Sequence, residues 1–231
     1  MYCIIVAMKE ELIKVKEKMV NISKDKIYNI EITKGKIGNK ECILALSGIG
    51  KVNAARTTQV LIDNFDIELI INTGSAGALN DNLNIGDVVI TKHVVQHDFN
   101  ISVFGHPAGY IPEIGVEIKC DEIGIKKAKE ITKRHREEYK TIIGVGASGD
   151  LFCTKDKHKN KIRNIFKADV VEMEGAAIGQ VSVLDKIPFI NVKSVSDVPN
   201  ESNYKTFEEN LELAASRAAE IVEEFCNMEE F

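Results

Sequence analysis

Six apolar runs in this chain end at once in small, hydroxyl or acidic residues. They end in Ala7-Met8-Lys9-Glu10-Glu11, Ser47-Gly48-Ile49-Gly50, Thr73-Gly74-Ser75-Ala76-Gly77, Ser148-Gly149-Asp150, Glu172-Met173-Glu174 and Ser196-Asp197. A carboxylate beside a buried strand is costly unless it is paired or bonded. Glu172 and Glu174 are therefore either a strand end reaching water or part of a ligand site. Serine, glycine and carboxylate together suit a polar ligand with hydroxyl groups. Carboxylates accept hydrogen bonds from a diol, and glycines let backbone N–H groups come close. In α/β sheets, ligands bind outside the carboxyl ends of the strands. Six such ends point to a site there.

The elements that would carry these ends follow a strand–helix rhythm. Strands are expected at Tyr2–Ala7, Ile67–Thr73, Asp87–Gln96, Thr141–Ala147, Ala168–Met173 and Pro188–Val195. A hairpin joins Ile27–Lys36 to Cys42–Leu46 around Gly38-Asn39. Helices are expected at Glu10–Met19, Lys51–Phe65, Ile123–Arg134, Gly175–Leu184 and Thr206–Phe225, the last opened by the capping-box pattern Thr206-Phe207-Glu208-Glu209. Lys155, Lys157, Lys159, Lys161 and Arg163 read as a solvated helix face. Linkers, repeats and low-complexity tracts are absent, so residues 1–231 are expected to form one domain. The fold class is α/β, a three-layer α/β/α arrangement around a mixed, largely parallel sheet.

Composition narrows the function. The 231 residues carry a formal charge of −5, with 44% hydrophobic and 28% charged residues. That balance offers no basic face for nucleic acid. No run reaches the ~18 apolar residues of a membrane span. Five unpaired-looking cysteines (Cys3, Cys42, Cys120, Cys153, Cys226) and the lack of a signal peptide lead us to expect a soluble, cytoplasmic protein. Ser47-Gly48-Ile49-Gly50-Lys51 lacks the spacing and hydroxyl residue of a triphosphate loop. His93 and His97 lie on an expected strand, where a four-residue offset separates them by ~13 Å, too far to share a metal. No metal or cofactor is expected.

In this order, Ala7-Met8-x-Glu-Glu11, Ser47-Gly-Ile-Gly-Lys51, Asn72-Thr-Gly-Ser-Ala-Gly77, Ser148-Gly-Asp150, Val171-Glu-Met-Glu-Gly175 and Ser196-Asp197 resemble the 5′-methylthioadenosine/S-adenosylhomocysteine nucleosidases of the purine nucleoside phosphorylase superfamily. The resemblance runs from about residue 2 to residue 225. It implies hydrolysis of an N-ribosidic bond, with a nucleoside phosphorylase-like fold and a small purine nucleoside as ligand. It implies that Glu174 binds the ribose hydroxyls, Met173 packs on the sugar and Glu172 supports them. Asp197 would protonate the purine nitrogen nearest the bond, and Glu11 would activate water. The backbone of Cys153 would pair with the adenine edge, between walls formed by Phe152 and Phe207. Met8, Ile49, Ser75, Ala76, Gly77, Lys193 and Ser196 complete the implied binding set. A homodimer is implied, with Ile101, Phe104 and Pro112 of one subunit closing the pocket of the other.

Two features bear on the reaction. Phosphorolysis needs a grip on a dianion, usually arginine. Arg56, Arg134, Arg136, Arg163 and Arg217 are all assigned to helices, none to a carboxyl-end loop, and Asn72 stands where some related phosphorylases have arginine. Water is therefore the expected nucleophile. Lys193 replaces the family's usual arginine, and Val198-Pro199-Asn200-Glu201 departs from the usual acidic continuation. Lys193 would either hold the reacting region by charge or pair with Asp197 along the strand. The alternatives are a nucleosidase or phosphorylase for another purine nucleoside, such as futalosine or inosine, and a non-catalytic nucleoside binder.

Overall fold

The computed structural model describes residues 1–134, 136–200 and 203–228; Glu201 of the divergent segment lies outside them. In chain order the elements are β1 (Tyr2–Val6), α1 (Lys9–Glu17), β2 (Val20–Ile27), β3 (Ile30–Ile37), β4 (Lys40–Leu46), α2 (Lys51–Asn64), β5 (Leu69–Ala78), β6 (Val88–Gln96), β7 (Ile118–Lys119), α3 (Glu122–Thr132), β8 (Thr141–Ser148), α4 (Asp156–Phe166), β9 (Val170–Glu172), α5 (Gly175–Leu184), β10 (Phe189–Asp197) and α6 (Asn203–Asn227). The ten strands form one mixed sheet, ordered β10-β6-β8-β9-β5-β1-β4-β3-β2, with β7 beside β6.

Strand pleat sorts the side chains onto two faces. Tyr2, Ile4 and Val6 of β1 join Leu44, Ile71, Ile90 and Val192 in a core covered by α1, α3 and α6. Cys3 and Ile5 join Ile43, Ala45, Ile70 and Phe189 beneath α2 and α5. Both faces are buried, which accounts for the unbroken apolar runs. The helix α5 is small-residue and apolar nearly throughout, and Gly175, Ala176, Ala177, Ile178 and Gly179 are all buried.

Beyond its middle the sheet closes on itself. One edge of β5 pairs in parallel with β1 through residues 69–72, then antiparallel with β9 at Gly77↔Val171 and Ala78↔Val170. The other edge pairs with β10 along its length. Because β10 pairs with β6, β6 with β8, and β8 with β9, the five strands form a ring. The two strand groups run in opposite senses, yet their carboxyl ends converge, because β5 and β9 meet through two residue pairs only.

Several boundaries differ from the sequence reading. The helix α6 begins at Asn203, so Thr206 lies within its first turns and caps nothing. The hairpin at Gly38-Asn39 is present as β3 and β4, but Ile27 ends β2, a separate strand that is exposed almost throughout and so carries no apolar alternation to read. Arg134 and Arg136 follow α3 instead of lying in it, where both bind Glu224 at 2.9 and 2.5 Å. His93 lies on β6 and His97 just past its end, as a strand requires.

Candidate active site

A cavity of about 230 Å³ opens where the carboxyl ends converge. Met8, Glu11, Ile49, Ser75, Ala76, Gly77, Phe152, Cys153, Glu172, Met173, Glu174, Ser196, Asp197 and Phe207 all line it, together with Ala7, Leu151, Val171 and Pro199. Every strand end singled out in the sequence contributes to it directly or supports it from behind. The rings of Phe152 and Phe207 meet edge to face with centroids 5.5 Å apart, giving the cavity an apolar wall. Lys193 is not among the lining residues, and neither are Ile101, Phe104 and Pro112 of the same chain.

Glu11 is fixed by the start of its own helix. Its Oε2 accepts from the backbone N–H groups of Ala7 (3.0 Å) and Met8 (3.1 Å), filling donors that a helix start leaves open. Its Oε1 accepts from the Ser75 N–H at 2.9 Å and the Ser75 hydroxyl at 3.1 Å. The carboxylate can lie against β5 only because residue 74 is glycine. A Cβ there would sit 2.3 Å from Oε1, and φ is +151°. Glu11 is 4% exposed, and the cavity reaches it.

The opening pair of carboxylates divides into two roles. Glu172 ends β9 and turns inward, accepting from the Ser148 hydroxyl, from Glu174 N–H (3.0 Å) and Gly175 N–H (2.7 Å), and from Lys193 Nζ at 3.1 Å. Burial alone would raise its pKa, but Lys193 and these donors outweigh burial and hold it below the ordinary carboxylate range. The strand pleat does not continue to Glu174, which instead precedes α5. Its Oε1 accepts from Gly50 N–H at 2.7 Å. The glycine turn that looked like a phosphate loop thus holds a protein carboxylate. Burial, then the neighbouring charge of Glu172, pushes the Glu174 carboxyl up to about 7.

Lys193 lies on β10 and is 2% exposed. Its ion-pair partner is Glu172, so the pairing with Asp197 considered from sequence is replaced by a pair beneath the cavity floor. Burial alone would lower its pKa, but the carboxylates of Glu172, Glu174 and Glu11 more than offset this and keep the ammonium charged. Lys193 reaches the cavity only through the carboxylates it balances.

Asp197 ends β10 with 2% exposure. Ser196 Oγ donates to its Oδ1 at 2.9 Å, and Asn203 Nδ2 donates to its Oδ2 at 2.6 Å. Burial raises its pKa despite the opposing effect of these two donors. A buried, protonatable carboxyl that faces a cavity is suited to give a proton to a bound base. Ser148 and Gly50 belong to the strand ends singled out from sequence, but their part as donors to Glu172 and Glu174 was not foreseen, and Asn203 was not singled out at all. Ser148 and Gly50 reach their carboxylates across 24 and 124 residues, and Asn203 reaches Asp197 across six with no local pattern to mark it.

None of the five arginines lines the cavity. Arg56 binds Asn29, Arg163 binds Asp169 and Arg217 binds Glu138. Asn72 is buried and donates to the Ile5 carbonyl at 3.0 Å.

An α/β protein with a carboxylate-rich cavity of this kind falls in a defined class: the model of the phosphorylase superfamily matches residues 1–227. A 5′-methylthioadenosine/S-adenosylhomocysteine nucleosidase of Staphylococcus epidermidis is 39% identical over 220 residues, covering 95% of this chain and 96% of that protein. The crystal structure of the Neisseria meningitidis nucleosidase of the same name, in complex with methylthio-immucillin-A, superposes with a TM-score of 0.93 at 36% identity, covering 98% of each chain. Futalosine hydrolase of Helicobacter pylori gives a TM-score of 0.91 at 33% identity, covering 97% of this chain and 96% of its own. The chain belongs to the 5′-methylthioadenosine/S-adenosylhomocysteine nucleosidase family of the phosphorylase superfamily.

Proposed function

We propose that this protein is an N-ribosyl hydrolase that cleaves 5′-methylthioadenosine, S-adenosylhomocysteine or both, releasing adenine and the 5-thio-substituted ribose. The observation that carries this reading is the meeting, in one cavity, of a fixed carboxylate (Glu11), a carboxylate with one uncommitted oxygen (Glu174) and a carboxyl with a raised pKa (Asp197). Glu174 accepts both hydroxyls of the ribose diol. Asp197 gives its proton to the purine ring nitrogen as the C–N bond breaks. Water adds to the anomeric carbon and passes its proton to Glu11. The flanking carboxylates favour the positive charge that develops on the sugar. Lys193 pairs with Glu172 and so offsets part of the repulsion among the three carboxylates.

Water is favoured over phosphate because the arginines are committed elsewhere and Glu11 would repel a dianion. The enzyme acts without a cofactor, as a single domain in a cytoplasmic homodimer, in the salvage of methionine-derived thioethers. Among the described residues no helix is long and apolar enough to cross a membrane, and all five cysteines are buried free thiols.

Incubation with methylthioadenosine, adenosylhomocysteine, adenosine and inosine, with and without phosphate, tests the reading. Free adenine and free sugar should form from the thioethers at a rate that phosphate does not raise. A ribose 1-phosphate product would show a phosphorylase, and turnover of inosine alone would show a different purine specificity.

A further inference from the structure

Asn203 has no part in the reaction as described above, yet its side chain is fully committed as a donor. It opens α6, is 1% exposed, and its Nδ2 donates to Asp197 Oδ2 at 2.6 Å and to the Cys153 carbonyl at 2.9 Å. An amide NH₂ has two hydrogens, so both bonds form at once. Turning the amide over would set its oxygen against a carbonyl and a carboxylate, which fixes the orientation on chemical grounds. Among the described residues the buried carboxamide oxygen has no hydrogen-bond partner. An unpaired buried acceptor is unfavourable, a cost that packing or helix capping does not explain.

On the other side of Asp197, Ser196 Oγ lies 2.9 Å from Oδ1 and 3.3 Å from the Ala76 carbonyl. A hydroxyl both donates and accepts. When Asp197 is protonated, the Asn203 donor disfavours a hydrogen on Oδ2, because a hydroxyl oxygen of a carboxyl is a weaker acceptor than its carbonyl oxygen. The hydrogen can lie on Oδ1, with Ser196 turning its own hydrogen to Ala76. We infer that Asn203 is a positioning residue that assigns the acid's proton to Oδ1 of Asp197 and locks that carboxyl to Cys153, the residue beside which the purine edge is held. This role deepens the function proposed above and rests on Asp197 being the proton donor. It also explains why the segment after β10 returns so quickly into helix. Asn203 must sit six residues beyond the acid, facing back toward it.

The test compares two leaving groups. Methylthioadenosine needs its purine protonated, whereas a 5-methylthio riboside of 4-nitrophenol loses its leaving group without a proton. The ratio of the two turnovers is measured on one preparation, so any unfolded fraction cancels. Asn203→Leu and Asn203→Asp, which remove the NH₂ donor, should each lower the ratio at least about tenfold, and Asp197→Asn should lower it at least as far. Purine turnover should fall with KM for the riboside little changed. If Asp197→Asn lowers the ratio while both Asn203 variants leave it within about twofold of the parent, the positioning role is overturned. Equal loss of both activities in the Asn203 variants would mean packing only and would also overturn it. An unchanged ratio in Asp197→Asn would instead remove Asp197 as the acid, and this role with it.

Discussion

At the scale of single residues, the site is a problem of placing negative charge. Glu11, Glu172 and Glu174 are all at most 6% exposed, and one ammonium, Lys193, serves them. The charge is divided unequally. Glu172 takes the ion pair and three further donors, and Glu174 is left with one backbone donor and a pKa pushed up to about 7. A carboxyl whose folded pKa lies above its unfolded value stabilises the fold most below the unfolded pKa, and that contribution is lost as pH rises through the folded one. The ligand-free protein should therefore lose stability between about pH 4.5 and pH 7 through Glu174, by at most about 3 kcal/mol. Glu174→Gln should flatten that part of the curve and weaken ribose binding, because an amide accepts only through its one oxygen. Melting temperatures of the two proteins at pH 5 and pH 8 check this. Parallel pH dependences would mean that Glu174 does not carry the strained charge.

At the scale of elements, a parallel strand buried on both faces is legible because every residue must be apolar, and a strand end is legible because that rule stops there. This is why Thr73-Gly74-Ser75, Glu172-Met173-Glu174 and Ser196-Asp197 could be read as one site before any geometry was known. What was not legible has a common cause. The pairing of β5 with both β9 and β10, the Glu172–Lys193 bond, and the Asn203 bridge all join residues through the fold, and no local periodicity encodes them. The capping-box pattern at Thr206 is the converse case: a local pattern is present, but the helix already runs from Asn203, whose side chain bonds to Asp197 and Cys153. Gly74 links the two kinds of information. It belongs to a glycine-bearing strand end that suits close approach of a ligand, and it lies within β5, where the Glu11 carboxylate occupies the space of a Cβ. Gly74→Ala should displace that carboxylate and strain the backbone by about 1–3 kcal/mol. Turnover should fall at least about tenfold, since small misplacements of a reacting group are costly. Wild-type turnover in this variant would show that the contact with β5 does not set the position of Glu11.

At the scale of the whole molecule, the cavity is unfinished at its mouth. Ile49, Leu151 and Phe152 line it and are still 38–51% exposed. A separate apolar segment also projects into solvent: Val103 and Phe104 are 86% and 77% exposed, in and beside a glycine-ended turn at Ser102–Phe104. Not all of that loop is free. Ile111, beside Pro112 in the same segment, packs into its own core. Among the described residues a single chain thus shows an exposed apolar rim and, apart from it, an exposed apolar knob. A twofold dimer in which each knob met the other's rim would satisfy both through a self-complementary interface. The 5′ substituent, the part of the nucleoside farthest from the purine wall, would lie beneath the partner's loop. Sedimentation should therefore show a dimer at micromolar concentration, and Phe104→Asp should weaken it by burying a charge at the seam. The kinetic signature separates closure of the pocket from mere association. Phe104→Asp should raise KM for methylthioadenosine more than for adenosine, whose bare 5′ hydroxyl gives the loop little to cover. A monomer with full activity, or an equal rise in KM for both nucleosides, would leave the loop outside the site.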